Sequence, residues 1–165
     1  MIRAKMFPLC ILFAAVLLIA CPMEESSESG GGIESLHGKW AAGFGDYFEI
    51  HAELKTLYYY DGGNFGSSYR GNIMEVVFFT GNAGVILIEF TEKPIDFSLM
   101  DEPEGDFIGI YFRNLTETSG EFGLATDSDF SIPAKNSLQE AKAAFTEGAM
   151  GGYFTVPAVY TKSND

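Results

Sequence analysis

Short runs of aromatic and β-branched residues recur along the chain from residue 37 onward, separated by clusters of Gly, Asn, Asp and Ser. Runs of this length and composition are typical of β-strands joined by turns. The pattern predicts about eight strands: Gly38–Ala42, Tyr47–Ala52, Thr56–Asp61, Arg70–Thr80, Gly84–Thr91, Phe107–Asn114, Gly120–Thr126 and Tyr153–Thr161. The acidic segment Glu92–Asp106 contains Pro94 and Pro103, which suit no central strand, so it is predicted to be a loop.

One segment near the end of the chain has the periodicity of a helix. Apolar residues recur there at spacings of three and four, at Leu138, Ala141, Ala144 and Phe145. Asn136 or Ser137 can cap its first turn, and Glu140 follows Ser137 at the spacing of a capping box. We predict a helix of about ten residues that ends near Thr146 and packs across the sheet.

Several strands are apolar at consecutive positions, as in Val85-Ile86-Leu87-Ile88. An antiparallel sheet covered on one side alternates between apolar and polar residues, so these strands need cover on both faces. Three arrangements provide cover on both faces: a closed barrel partly covered by the helix and loops, a sandwich, and a self-association surface. Because a closed barrel also leaves no strand edge exposed, we predict an all-β, antiparallel, about eight-stranded barrel. Its one short helix is predicted to precede the last strand.

The first twenty residues have a different composition. Arg3 and Lys5 precede an apolar run, which is the order of a secretory signal peptide. A helix from Phe7 to Ala20 would be about 21 Å long, too short for a hydrocarbon core about 30 Å thick. Residues 1–20 are therefore predicted to be a signal peptide rather than a membrane span.

Leu18-Ile19-Ala20-Cys21 closes this run and resembles the lipobox of bacterial lipoproteins. The resemblance implies that Cys21 carries a diacylglyceryl group and a further acyl chain; two or more chains give stable anchoring. We expect no other cofactor. Residues 21–35 are then the lipidated Cys and a tether, whose Ser, Glu and Gly bury too little surface to fold. Pro22 is not the Asp that signals inner-membrane retention in other bacteria, which favours the outer membrane.

Charge and cysteine content narrow the function further. The whole chain carries a net charge of −13, and without the basic signal peptide the mature chain carries 8 basic and 23 acidic residues, or −15. Nucleic-acid binding is not expected, because its affinity comes from basic groups that neutralise phosphates. The acidic surface either serves solubility alone or binds cations or a basic partner. Cys10 and Cys21 are the two cysteines, so no disulfide is expected in the mature domain.

Gly38-Lys39-Trp40 opens the first predicted strand, and the same Gly-x-Trp opening begins the first strand of lipocalins. This resemblance implies that Trp40 closes one end of an eight-stranded barrel beneath a basic side chain from the far end of the chain. Lys162 matches that basic residue, and Arg113 is its rival. A cation over Trp40 would contribute about 0.5–2 kcal/mol.

The chain as a whole resembles the small lipoproteins of spirochaetes, which combine a lipobox, a Ser/Gly spacer and one lipocalin-like domain. Asp46–Ile50, Tyr69–Ile73 and the final Tyr160-Thr161-Lys162 carry this likeness within residues 36–165. It implies a location and a fold, but no ligand, because that family has no agreed biochemical activity.

Six aromatic residues are candidates for lining a pocket: Tyr58, Tyr60, Phe78, Phe90, Tyr111 and Phe112. An eight-stranded barrel has room for one small ligand or for its own side chains. The set therefore indicates a pocket for an apolar or flat ligand, a filled core, or an adhesive exterior that recognises a protein partner.

No catalytic constellation is evident. His37 and His51 are the two histidines, and neither stands in a pattern that provides a nucleophile, a base and an orienting acid. Asp101–Asp106 offers oxygen atoms but lacks the spacing of a calcium loop, so no metal site is predicted. We expect a non-catalytic binding module for a small apolar ligand. The alternative is a lipoprotein that recognises a protein partner through its loops or an outer sheet face.

Overall fold

The computed structural model describes residues 32–63, 68–94, 105–125, 134–150 and 158–163. Its strands are β1 Gly38–Ala41, β2 Tyr47–His51, β3 Thr56–Tyr60, β4 Tyr69–Thr80, β5 Ala83–Glu92, β6 Phe107–Arg113, β7 Ser119–Leu124 and β8 Ala158–Ser163. Its helices are α1 Ile33–Leu36, α2 Leu138–Ala144 and α3 Glu147–Met150. The predicted signal peptide, Cys21 and most of the predicted tether lie outside the described residues. Within the described part of the chain, no helix is long and apolar enough to span a membrane.

Each strand pairs antiparallel with the next along the chain, and β8 returns to pair with β1. The result is a closed eight-stranded barrel with a short helix before its last strand, consistent with a lipocalin-like all-β fold. The predicted fold class is therefore confirmed. The strand bounds agree to within about two residues except at β8, which begins at Ala158; residues 153–157 lie outside the described chain.

The barrel interior is the main core. Alternate residues along a strand point to opposite faces, and the inward set contains Trp40, Phe48, Ile50, Leu57, Tyr69, Ile86, Ile88, Ile108, Ile110, Phe112, Phe122 and Tyr160, all buried. Contributions from all eight strands make this one continuous apolar cluster.

Helix α1 closes the end of the barrel at which β1 begins. Leu36 is fully buried in the core cluster, and its carbonyl oxygen accepts a hydrogen bond of 2.8 Å from Trp40 Nε1. The sequence-based boundary assigned residues 33–35 to the tether, and the structure instead includes Ile33–Leu36 in the folded domain. A four-residue turn is too short to be stable alone. It is ordered here by its contacts with the barrel, which local periodicity does not reveal.

Helix α2 covers the outer face of β5 and β6. Its N-cap is Ser137, whose hydroxyl accepts a hydrogen bond from the Glu140 amide, as predicted. The helix has seven residues rather than about ten, because Phe145 leaves the helical conformation and α3 begins at Glu147. The predicted apolar face packs on the barrel exterior, against Val85, Leu87 and Tyr111. This helix is the cover that the doubly apolar strands require.

Candidate functional site

The two ends of the barrel differ in what they carry. Gly32 and α1 lie at one end of the barrel, and β1 runs from this end to the turn at residues 42–46. Because consecutive strands are antiparallel, the β1–β2 and β3–β4 turns lie at the opposite end. We call the first the tether end, because the predicted tether precedes Gly32 in the sequence, and the second the far end.

At the tether end the structure places Lys162 over Trp40. The Lys162 Nζ lies 5.0 Å from the centroid of the Trp40 ring, and the two residues are register partners on β8 and β1. Gly38 has a φ of +123°, and a β-carbon there would lie 2.9 Å from Lys162 Cε, which explains the need for glycine. The rival, Arg113, instead donates from Nε to Glu121 Oε2 at 2.7 Å.

The six candidate pocket residues divide between the two faces of the barrel. Phe78, Phe90 and Phe112 belong to the interior cluster, whereas Tyr111 packs outside under α2. Tyr58 and Tyr60 also face outward, so these three tyrosines do not line the barrel interior. The neighbouring strands determine which tyrosine of β3 faces inward. Tyr59 does so, because it lies opposite the inward-facing Phe48 and Tyr69.

Inward-facing rings contact one another across the barrel. Ring centroids lie 5.2 Å apart for Trp40 and Phe122, 5.5 Å for Phe122 and Phe48, and 4.8 Å for Phe48 and Tyr59. Tyr59 continues to Tyr69 at 5.0 Å. These separations fall in the range of favourable aromatic pairs. The interior described here is thus occupied by the protein's own side chains.

Three tyrosine hydroxyls lie inside this aromatic core. The Tyr59 hydroxyl donates to Asp46 Oδ2 at 3.4 Å, while the fully buried Tyr69 hydroxyl has no hydrogen-bond partner among the described residues. Burial, which disfavours the phenolate, raises the pKa of Tyr59, Tyr69 and Tyr160 above the ordinary value of 10.0. All three are therefore neutral at physiological pH and serve the core as aromatic groups.

The outer face of β1–β4 carries a second aromatic group at its surface. Tyr47 stacks on Tyr60 with ring centroids 5.0 Å apart, and meets Tyr58 edge-on at 5.9 Å. Two cations flank the tyrosines: Lys39 Nζ lies 4.2 Å from the Tyr47 ring, and Arg70 Cζ lies 4.7 Å from the Tyr58 ring. Tyr60 remains 41% exposed.

A further exposed aromatic residue lies at the far end, in the turn between β1 and β2. Phe44, in the β1–β2 turn, is 89% exposed. The turn that presents it is held by hydrogen bonds from the Ala42 amide to the Asp46 carbonyl at 2.8 Å and from the Gly62 amide to Asp46 Oδ1 at 2.9 Å. The exposed ring therefore stands on an ordered turn. We call Phe44, Tyr47, Tyr58 and Tyr60, with Lys39 and Arg70, the aromatic outer patch.

A groove of about 340 Å³ continues from the patch toward the tether end. Its lining combines hydrogen-bonding side chains with the edge of one tyrosine: Glu49, His51, Thr56, Leu57, Tyr58, Arg70, Gly71 and Thr91. Its polar side chains have partners: His51 Nε2 lies 3.1 Å from Glu49 Oε1, and Arg70 Nε forms an ion pair with Glu92 Oε2 at 3.5 Å. The groove therefore offers donors, acceptors and an aromatic surface together.

Sequence reasoning did not identify Phe44, Tyr47 or the flanking cations as site residues. Tyr58 and Tyr60, two apart on one strand, were the available signal, since such residues share a face. Tyr47 joins them through register, because it lies opposite Tyr60.

The described residues contain no cluster of three His, Cys, Asp or Glu side chains suited to a metal ion. His37 Nδ1 accepts a hydrogen bond of 3.3 Å from the Ala52 amide. In the acidic loop, Asp106 forms an ion pair with Lys93 at 3.0 Å, and Asp101–Glu104 lie outside the described chain. His37 and Asp106 therefore each make a local contact within the domain.

Comparisons with known proteins add no relative to this picture. The chain matches no protein-family model, and no curated protein and no solved structure matches it significantly. Its function must therefore be inferred from its own geometry.

Proposed function

We propose that this protein is an exported, lipid-anchored and non-catalytic binding protein of the bacterial outer membrane, which recognises a protein partner through its aromatic outer patch. The exposure of Phe44 on an ordered turn at the far end carries this proposal. An aromatic side chain so exposed on a hydrogen-bonded turn has no role in the domain's own core. It loses little conformational entropy when it is buried by a partner.

The composition of the patch supports a protein partner. Tyrosine and arginine are enriched among the residues that dominate binding energy at protein interfaces. Tyr47, Tyr58 and Tyr60 provide rigid rings, while Lys39 and Arg70 provide charges at the margin. Phe44 lies at the end of the barrel opposite α1, so a tether that precedes Gly32 would leave it uncovered.

A small apolar ligand inside the barrel is the alternative. The Tyr69 hydroxyl favours it, because a buried polar group without a hydrogen bond costs about 1–3 kcal/mol and a ligand could supply the partner. The contacts among Trp40, Phe122, Phe48 and Tyr59 count against it, because such a ligand would have to displace rings. We therefore favour recognition by the exterior.

The anchor has its own test. Mass spectrometry of the protein purified from native membranes is expected to find an N-terminal peptide that begins at Cys21 and carries a diacylglyceryl group and a further acyl chain. Replacing Cys21 with serine should release the protein from the membrane fraction, because the lipid is the proposed membrane contact. An unmodified Cys21, or a mature terminus elsewhere in the chain, would contradict lipid anchoring.

The patch is tested by photo-crosslinking in intact cells. With Phe44 or Tyr60 replaced by p-benzoylphenylalanine, ultraviolet light is expected to give one discrete adduct with a second protein. Leu54, an apolar residue 73% exposed near the tether end, is the matched control position and should give no such adduct. Removing two hot-spot tyrosines in Tyr47→Ala/Tyr58→Ala should lower the Phe44 adduct by about tenfold or more.

Equal adducts at Phe44 and Leu54, or an adduct indifferent to the double substitution, would contradict recognition by the patch. The interior alternative is followed in parallel with the apolar dye N-phenyl-1-naphthylamine. Saturable dye binding that is altered by Tyr69→Phe, together with the absence of a patch-dependent adduct, would replace the exterior proposal with the interior one.

A further inference from the structure

Strand β4 is longer than the neighbour that pairs with it on one side. β4 comprises 12 residues, and its pairing with β3 ends at Asn72, opposite Thr56. The Ile73 amide still donates to the Lys55 carbonyl at 2.7 Å, but from Met74 to Thr80 the strand pairs with β5 alone. Among the described strands none pairs with this segment on the β3 side. A strand edge remains open in the wall of an otherwise closed barrel.

The exposure of this segment agrees with an open edge. Met74 is 42% exposed, and every residue from Glu75 to Phe79 is partly exposed, on both faces of the strand. Elsewhere in the sheet, by contrast, Val85–Ile88 of β5 is fully buried. The segment Met74–Phe79, which we call the β4 edge, therefore combines open backbone groups with apolar side chains on both faces.

A groove of about 380 Å³ lies along the β4 edge. Met74, Val76 and Phe78 of the edge line one side of the groove. The other side is lined by Gly32 and by Ile33, at the start of α1. The groove gives an incoming strand room beside the backbone it would pair with.

The usual defences against edge pairing are weak here. Proteins protect exposed edges with lysine, proline, inward-pointing charges or bulges. The β4 edge reads Met-Glu-Val-Val-Phe-Phe, and its one charge, Glu75, is engaged by Lys142 of α2 at 2.7 Å. Irregularities occur at Ile73/Glu75 and Phe78/Thr80, which confine regular pairing to the residues between them.

We propose that the β4 edge pairs antiparallel with the β4 edge of a second copy of this chain, forming a two-fold symmetric dimer. An isologous contact needs one surface that complements itself. An antiparallel edge does so through its backbone, because each strand offers the donors and acceptors that the other requires. The faces also match, since inward Val76 and Phe78 meet the same apolar face of the partner, and Val77 and Phe79 do likewise.

The position of the tether favours a second copy over other occupants. Gly32 lines the groove itself, so the tethers of two paired copies start beside the contact and both can reach one membrane. Residues 22–31 are a poor occupant of the groove, because Pro22, three Glu and two Gly form strands badly.

Charge provides a signature of this pairing. Two mature chains of formal charge −15 repel each other, and salt screens that repulsion over about 10 Å at 0.1 M and about 3 Å at 1 M. Self-association is therefore expected to strengthen as salt rises. A basic foreign strand on the same edge would bind more weakly as salt rises.

Sedimentation equilibrium on the full mature chain with Cys21→Ser tests the proposal without the lipid. A monomer–dimer equilibrium is expected that shifts toward dimer with salt. Met74→Lys places an edge-protecting lysine at a half-exposed position and should weaken dimerisation about tenfold or more. Val159→Lys, at an apolar β8 residue that is 63% exposed, adds the same charge and should leave dimerisation unchanged.

Disulfide trapping provides the second measurement, because Cys21→Ser leaves the mature chain free of cysteine. In an antiparallel pair of β4 edges the two-fold axis passes near Val76 and Val77, and a disulfide requires Cα atoms within about 7 Å of each other. Val76→Cys or Val77→Cys should therefore form covalent dimers on mild oxidation, and Val159→Cys should not. A chain that stays monomeric at every salt concentration, associates without limit, or dimerises equally well with Met74→Lys overturns the proposal. The lipid and the aromatic outer patch take no part in these measurements. The test of the dimer would therefore stand even if the proposed anchor or the proposed partner-binding patch were disproved.

Discussion

Replacing Trp40 with alanine is expected to lower the free energy of unfolding by about 3–5 kcal/mol, the largest effect of any single side-chain truncation in this domain. Trp40 is fully buried, packs on Phe122 at 5.2 Å and bonds through Nε1 to the Leu36 carbonyl. Its loss leaves a cavity, an unpaired carbonyl and no ring beneath Lys162. Urea unfolding followed by circular dichroism measures the change, since this is the one tryptophan and fluorescence is lost with it.

Two control variants separate the contributions. Lys162→Met keeps the apolar stem and removes the cation over the ring, so it should cost about 0.5–2 kcal/mol. Tyr60→Ala removes a ring that is 41% exposed on the outer face and should cost less than Trp40→Ala, because less surface is buried there. If Trp40→Ala proved no more costly than Tyr60→Ala, the account of Trp40 as the centre of the closed end would be wrong.

Gly84→Ala is expected to destabilise the barrel by about 1–3 kcal/mol, the usual cost of overpacking a core. A β-carbon at Gly84 would collide with the Val77 carbonyl oxygen and would lie 2.7 Å from Phe112 Cζ. Phe112 is fully buried and packs on Phe78 at 5.2 Å, so its ring has little space to retreat. The same urea titration measures the loss.

Gly81→Ala is the matched control in the adjoining turn, because a β-carbon there meets no atom within 4 Å. It should leave stability within about 0.5 kcal/mol of the wild type, as surface substitutions usually do. Equal effects at Gly81 and Gly84 would indicate a general cost of alanine in this hairpin, and would contradict the role assigned to Gly84 in accommodating Phe112.

The two proposed interaction surfaces lie at different places on the barrel. The aromatic outer patch reaches the far end through Phe44, whereas the groove beside the β4 edge is lined by Gly32 at the tether end. A dimer formed near the membrane would therefore leave both patches open to a partner. It would also bring two patches into one assembly, which raises the effective affinity for a partner that has repeated sites.

Much of the architecture could be predicted from local patterns. Runs of β-forming residues separated by clusters of turn residues predicted eight strands with nearly correct bounds. This was possible because strands and tight turns each depend on a few adjacent residues. The Ser137 and Glu140 spacing predicted where α2 begins for the same reason. Consecutive apolar residues in β5 and β6 indicated that cover was needed outside as well as inside, and α2 provides it.

The site was less predictable, because it depends on which strands lie side by side. The three consecutive tyrosines Tyr58–Tyr60 must alternate between the two faces of the strand. Which of them faces inward is decided by the pairing of Tyr59 with Phe48 and Tyr69. Phe44 lies between two glycines, which indicates a turn, whereas its exposure and the bond from the Gly62 amide to Asp46 that holds this turn are seen only in the structure.

Local sequence thus determines where this chain extends, turns and coils, because those choices are made over a few residues. The tertiary structure decides which aromatic rings fill the barrel. It also shows that α1 belongs to the domain and that β4 extends beyond the end of its pairing with β3. Each of these depends on contacts between residues far apart in the chain. The register of one strand against the next therefore separates the filled interior from the surfaces available for recognition.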